Sequence, residues 1–245
     1  MKAIILAAGV ASRMRPLTDD APKCLLPVGK KSILERTIDN LMINGINELI
    51  IVTGYLEQMI RDFVADHYPS LRVNFIYNEK YETTNNVYSL WLARHLISGS
   101  DIILMDSDII FDQRIIALLM HPQGMNRLAV RFEDNLGEEE MKVLVSKDQR
   151  IMQISKQIDP QKAAGESMGM AKFDGEFVRV LLNIIENRIV DRGLVNDFYE
   201  AAFQEALEEG YELYAVDILN YRCVELDTVE DMAYAREVVV ADLDT

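Results

Sequence analysis

Ala3-Ile4-Ile5-Leu6-Ala7-Ala8-Gly9-Val10-Ala11-Ser12-Arg13-Met14-Arg15-Pro16-Leu17-Thr18 begins as an unbroken apolar run and turns small, then basic, after Gly9. A short apolar run that stops at glycine is the pattern of a strand buried on both faces. Small residues beyond the strand let backbone N–H groups come close to a ligand, and a row of such groups makes an anion cradle. Pro22-Lys23-Cys24-Leu25-Leu26-Pro27-Val28 follows shortly after. Arg13, Arg15 and Lys23 thus gather positive charge near one strand end, as a polyanion site needs. A tight strand-to-helix turn with exposed basic residues explains the same spacing equally well. The dinucleotide fingerprint does not fit, because Ala11 and Met14 stand where its second and third glycines belong. The P-loop pattern is absent, and the basic residues come too early for the run to be a leader peptide.

Outward from this stretch the first half alternates strand and helix. Ser32 and Glu35 form a capping-box pattern, and Ile33, Leu34, Ile38, Leu41 and Met42 recur at helical spacing up to Gly45. Strands are expected at Glu48 to Thr53, 71–77 and 101–106, with helices at 55–67, 85–97 and 112–120. This rhythm predicts a parallel sheet with helices on both faces. From Arg127 the strands shorten (127–133, 141–146, 150–155, 167–173), with a turn of glycine and charge at Asn135 to Glu140. Helices near 175–191 and 196–209, the latter ending at Gly210, lead to strands at 211–218 and 221–226 and a final helix from Thr228. No linker, repeat or low-complexity tract interrupts the chain. We read residues 1–245 as one domain, with 1–126 and 127–245 as its halves.

Apolar residues make up 49% and charged residues 27% of the 245, the balance of a globular protein able to bury a core. Lys and Arg number 25 against 40 Asp and Glu, a net charge of −15. So acidic a chain is poorly suited to nucleic acid or to an anionic membrane surface. Cys24 and Cys223, widely separated, read as free thiols of a cytoplasmic protein.

Leu6-Ala7-Ala8-Gly9-x-x-Ser12-Arg13-x-Arg15-Pro16-Leu17-Thr18, with Pro22-Lys23-x-Leu25-Leu26-Pro27-Val28 behind it, resembles the signature of the nucleotidyltransferases. The resemblance covers essentially the whole chain. It implies a Rossmann-like, mostly parallel sheet of the nucleotide-diphospho-sugar transferase type, with a small β subregion facing the acceptor. It implies coupling of an NTP to a small phosphorylated alcohol or sugar-1-phosphate, with Mg²⁺ and release of pyrophosphate. Residues Leu6, Ala7, Ala8, Gly9, Val10, Ala11, Ser12, Arg13 and Lys23 would surround the nucleotide. The family usually carries glycine where this chain has Ala11.

Met105-Asp106-Ser107-Asp108 closes a strand, where ligands bind in open α/β sheets. Asp108 matches the family's metal-binding aspartate, and Asp227, in Val224-Glu225-Leu226-Asp227-Thr228, matches the second. Hard carboxylate oxygens suit Mg²⁺. Asp227 also reads as a helix-start residue. Asp106 is a candidate close to the nucleotide. A phosphate or phosphonate oxygen is already anionic, so catalysis asks for placement and charge, supplied by Arg13, Lys23, Asp108 and Asp227.

Within the family, three segments resemble the cytidylyltransferases for 2-aminoethylphosphonate and phosphocholine. They are Tyr77-Asn78-Glu79-Lys80-Tyr81 with Thr84 to Trp91, Ile154-Ser155-Lys156 with Gly165 to Met170, and Val195-Asn196-Asp197-Phe198-Tyr199-Glu200. Thr84, Asn85, Asn86 and Ser89 read either as contacts to pyrimidine and ribose or as helix caps. Lys156 matches the lysine that meets the acceptor phosphate, while Glu166 and Asp197 are candidates for its ammonium group. No clear aromatic cage is legible, and the resemblance of the segment Asn196 to Glu200, more than that absence, favours a primary amine such as 2-aminoethylphosphonate over phosphocholine, with phosphoethanolamine a further candidate. A sugar-1-phosphate uridylyl- or thymidylyltransferase is the alternative, and a catalytically idle nucleotide-binding relative a distant one. A homodimer is compatible with the composition, which does not require one.

Overall fold

The computed structural model describes residues 1–120, 126–133 and 136–239. In chain order the elements of the first half are β1 (Lys2–Ala7), β2 (Pro27–Val28), β3 (Lys31–Ser32), α1 (Ile33–Ile43), β4 (Glu48–Thr53), α2 (Glu57–His67), β5 (Arg72–Tyr77), α3 (Asn86–Leu92), α4 (Arg94–Ile97), β6 (Ile102–Asp106), β7 (Ile109–Phe111) and α5 (Arg114–Leu119). The second half has β8 (Arg127–Arg131), β9 (Lys142–Val145), β10 (Ile151–Ser155), β11 (Gly165–Phe173), α6 (Gly175–Glu186), α7 (Glu200–Glu208), β12 (Tyr214–Asp217), β13 (Cys223–Glu225) and α8 (Val229–Tyr234).

Strands β5-β4-β1-β6 are parallel, as the βαβ rhythm requires. β11 continues the sheet antiparallel to β6, and β9, β10 and β8 extend it. The extension is the expected β subregion. β1 explains why the run 3–8 is apolar throughout. Its Ile4 and Leu6 pack under α3, α6 and α7, while Ala3, Ile5 and Ala7 pack under α1, α2 and α5. Both faces are therefore covered by helices. Local signals start those helices: Ser32 Oγ accepts from Glu35 N at 3.1 Å, Asp174 caps α6, and Thr228 with Asp231 forms a capping box on α8.

Three expectations are corrected. The helix foreseen over 85–97 is two, meeting at Ala93. The helix foreseen from 196 begins at Glu200, because the preceding backbone is held by α3: Asn85 N donates to Val195 O and Tyr199 N to Asn86 Oδ1, both at 2.9 Å. A small antiparallel pair, β7 with β13, sits beside the main sheet and had only one strand foreseen. That pair decides the site. Ile109 lies opposite Glu225, and Leu226 N donates to Asp108 O at 3.0 Å, so the segments carrying Asp108 and Asp227 are laced together. Of the turn expected at 135–140, Asn135 lies outside the described residues and 136–140 is loop.

Gly54, at the end of β4, leaves room for the loop after β1. A Cβ there would stand 2.5 Å from Ala8 O and 2.6 Å from Tyr81 Cβ. The first of these atoms is backbone and cannot swing away. Gly54→Ala is expected to cost about 1–3 kcal/mol of overpacking, and therefore to lower the melting temperature by about 2–10 °C. Thermal unfolding of the purified variant checks this, and an unchanged transition would refute it.

Candidate active site

A cavity of about 870 Å³ opens at the carboxyl ends of β1 and β6. Leu6, Ala7, Ala8, Gly9, Ala11 and Arg13 line one wall. Val10 and Ser12, expected with them, are not among the lining residues; Ser12 instead opens a single 3₁₀ turn, Ser12–Met14. Ala11 takes the left-handed conformation, φ 51° and ψ 49°, that glycine adopts at no steric cost. Its carbonyl accepts from Thr18 Oγ1 and from Met14 N, both at 3.0 Å, so the turn is fixed despite the methyl group.

At the centre Lys23 lies between two carboxylates. Its Nζ is 2.8 Å from Asp108 Oδ2 and 3.0 Å from Asp227 Oδ1, and its side chain is only 10% exposed. Arg13 adds a 2.8 Å ion pair to Asp227 Oδ2 from the exposed rim. Burial works against the Lys23 charge, but attraction to Asp108 and Asp227 outweighs it and raises its pKa. Asp227 pays for burial too, yet Lys23 and Arg13 hold its carboxyl below the usual range. Sequence segments some 85 and 204 residues from Lys23 thus converge on one nitrogen. Two carboxylates converging on a single point suit a hard divalent cation that takes its remaining ligands from water and phosphate. No larger metal-binding cluster of His, Cys, Asp and Glu occurs among the described residues.

Thr84, Asn85, Asn86 and Ser89 all line the cavity. Part of their polarity is spent locally. Asn85 caps α3, Asn86 Oδ1 holds Tyr199 N, and Asn78 Nδ2 donates to both Thr84 Oγ1 and Ser89 Oγ at 3.1 Å. Asn78, buried, was not foreseen as an organiser of this wall. Asp106 lines the cavity half-buried and accepts from Tyr199 Oη at 2.8 Å. Burial first, then Asp108 and Glu200, push the Asp106 carboxyl well above the ordinary range. Gly169, with φ +59°, makes room for it, since a Cβ there would meet Asp106 Oδ2 at 2.8 Å.

Lys156 also lines the cavity, its Nζ 4.6 Å from the centre of the Phe198 ring and 3.9 Å from Glu139. Glu166 is beside it in the lining, its carboxyl pushed up to about 7 chiefly by burial, with Arg131 opposing. Asp197 does not belong here. Its carboxylate is ion-paired to buried Arg188, which also binds Glu205, so an ammonium-binding role is corrected on geometry. Two glutamates not singled out from the sequence do line the cavity. Glu200 is 5% exposed with Oε2 unpartnered, and burial pushes its carboxyl up to about 8. Glu225 is raised well above its ordinary range, by burial and then by Asp108 and Asp106. Glu200 ended a quoted motif, yet an acidic residue at a helix start carried no signal of burial. Trp91 is elsewhere, stacked under Arg94 and donating to Glu186.

The nucleotidyl transferase family model matches residues 2–222, and the chain belongs to that family: it is a nucleotidyltransferase. The solved CTP:phosphocholine cytidylyltransferase of Streptococcus pneumoniae superposes with TM-score 0.81 at 26% identity, over 97% of this chain and 98% of that one. A CTP:phosphoglutamine cytidylyltransferase of Campylobacter jejuni is 28% identical over 255 residues, 95% of this chain and 98% of its own. A CMP-5'-(3-aminopropyl)phosphonate synthase of Streptomyces rubellomurinus is 31% identical over 119 residues, 49% of this chain and 19% of its own.

Two outcomes follow from this geometry. Lys23→Ala removes the cation shared by Asp108 and Asp227 and is expected to lower turnover roughly 10²–10³-fold, by analogy with deleted oxyanion donors. Near-normal pyrophosphate release from the folded variant would refute it. Glu200 holds its proton in the folded chain up to about 8, whereas a freely solvated glutamate, as in the unfolded chain, loses it near 4.5. The folded state then binds more protons, so this group's contribution falls as pH rises across that window. Glu200→Gln should therefore raise the melting temperature, by a margin that grows between about pH 5 and about pH 8. Equal melting of variant and parent at the higher pH would contradict this.

Proposed function

We propose that the chain is a cytidylyltransferase that couples CTP to a small acceptor carrying a phosphonate or phosphate at one end and a primary ammonium at the other. 2-Aminoethylphosphonate is the favoured acceptor, and phosphocholine or phosphoethanolamine come next. The observation that carries this reading is the charge in the cavity beyond the Lys23 cluster: one further lysine, Lys156, with Glu166 and Glu200, and Glu225 between these and the Asp108–Asp227 pair. A lysine meets the acid group and the carboxylates meet the ammonium, with one carboxylate oxygen on Glu200 lacking a hydrogen-bond partner among the described residues. A sugar hydroxyl would leave these acids without a counter-charge. An acceptor bearing its own carboxylate would face repulsion. Tyr81 and Phe198 are the only aromatic residues lining the cavity among those described, too few for the cage a quaternary ammonium favours.

The chain's residues then divide the work. Backbone N–H groups after β1, with Arg13 and Lys23, hold the triphosphate. Lys156 draws the acceptor oxyanion toward the α-phosphorus. That oxygen is already ionised, so no side chain is needed to remove a proton, and pyrophosphate leaves in line. Asp108 and Asp227 would hold Mg²⁺, which offsets negative charge on the phosphate oxygens. Of the relatives' printed names, the (3-aminopropyl)phosphonate one carries a primary amine like the favoured acceptor, while phosphocholine shares only the pairing of a phosphate with a cation.

The test is pyrophosphate release with Mg²⁺, pairing CTP, UTP, dTTP, ATP and GTP with 2-aminoethylphosphonate, phosphocholine, phosphoethanolamine and glucose-1-phosphate. Turnover confined to CTP and an amino-bearing acceptor is expected. Turnover of UTP or dTTP with the sugar phosphate would overturn the reading. A pH series adds a second check. Glu166 ionises as pH passes about 7, so the acceptor KM should fall through that range, and Glu166→Gln should flatten the change. A parent profile already flat there would refute the role of Glu166.

A further inference from the structure

Lys142 is the first residue of β9 and is fully buried, yet it is not among the residues that line the cavity. Its backbone lies between Ser155 of β10 and Glu166 of β11. Its ammonium donates to Gly137 O at 3.1 Å, Glu138 O at 2.9 Å and Glu140 O at 3.1 Å. An ammonium has three protons, and here each has a carbonyl from one short loop. Burying such a charge is costly unless it is fully bonded. The loop so gathered is a wall of the cavity: Glu139, Glu140 and Met141 face into it. Its trailing end is tied to the sheet, where Ser167 N donates to Met141 O at 2.8 Å. Glu139 reaches to within 3.9 Å of Lys156, and Glu140 contributes to the field that raises Glu166.

We propose that Lys142 is a positioning residue for the acceptor: its buried ammonium folds segment 137–141 around itself and so sets the wall beside Lys156 and Glu166. It touches no substrate. This rests on the proposed acceptor end of the cavity. Without the ammonium these three carbonyls lose the donor that gathers them, and a loop bonded to water is mobile.

The experiment is Lys142→Met in the full chain, with two readouts: hydrogen exchange of amides 137–141, and KM and kcat for both substrates. Expected are faster exchange confined to that segment and an acceptor KM raised about tenfold, while the CTP KM and kcat stay within about twofold. Unchanged exchange in folded Lys142→Met overturns the proposal. So does a CTP KM that rises as much as the acceptor KM, or a kcat loss with the acceptor KM unmoved. If the Met variant does not fold, Lys142→Gln, which keeps two donors, is read by the same criteria. The kinetic arm uses whichever acceptor the parent turns over. An acceptor without an amine would therefore defeat the functional reading while exchange and KM still decide the role of Lys142.

Discussion

The ammonium of Lys23 between Asp108 and Asp227 is the interaction on which the rest of the site depends. Three segments distant in sequence supply its members, and each arrives at the end of a strand or just beyond one. Asp108 follows β6, Asp227 follows β13, and Lys23 opens a short 3₁₀ turn after the loop from β1. Two carboxylates at this spacing repel each other unless a cation stands between them. Lys23 supplies that cation from within the chain. The same pair is what a divalent metal and a triphosphate would engage. The site is thus neutralised before any ligand arrives, and its geometry does not wait on binding. Preorganisation of this kind is how charge catalysis avoids reorganisation during the reaction.

The acid-rich remainder of the cavity is arranged at a cost. Glu166, Glu200 and Glu225 all have raised carboxyl pKa values, each with burial as the largest cause. Lys156 is the cation in the lining that faces them there, and it rests on Phe198. Nothing in packing asks for three acids in such a place, since an apolar or amide residue would fill the space at lower cost. A cationic group on the ligand restores the balance. Stability given up at a site is a usual accompaniment of function, and here it has a chemical sign. It calls for positive charge at one end of the ligand, just as Lys23 and Arg13 call for negative charge at the other.

Much of this was legible in the sequence because local rules and the family pattern agreed. The run 3–8 had to be a central strand, and the caps at Ser32 and Thr228 had to start helices. The motif residues Arg13, Lys23, Asp108 and Asp227 do converge. What was not legible depended on tertiary contacts. Asp197 sits in a motif with acidic neighbours, and only the fold reveals that Arg188, reached through a π-helical turn after α6, neutralises it. Glu200 looks from the sequence like any acidic residue of a first helical turn. Its burial arises because Asn86 seizes Tyr199 N and draws the start of α7 under the cavity. Lys142 falls in the strand expected at 141–146 with no signal of burial, and its three carbonyl partners lie in a loop that no periodicity describes.

The two ends of the cavity are not independent. Asn86 stands in the wall expected to meet the base, and its side-chain oxygen holds the backbone of Tyr199. Tyr199 in turn donates to Asp106, two residues from Asp108, and the next residue along is Glu200. One buried tyrosine therefore ties the nucleotide wall, the central carboxylates and the acid that faces the acceptor. Each link is a direct hydrogen bond of 2.8–2.9 Å anchored on the buried Tyr199, so displacement of one is felt by the next. A shift of Asn86 on contact with a nucleotide would move the start of α7, and Glu200 with it. The acceptor end is best regarded as shaped from both sides: by Tyr199 beneath it, and by the loop that Lys142 gathers at its rim.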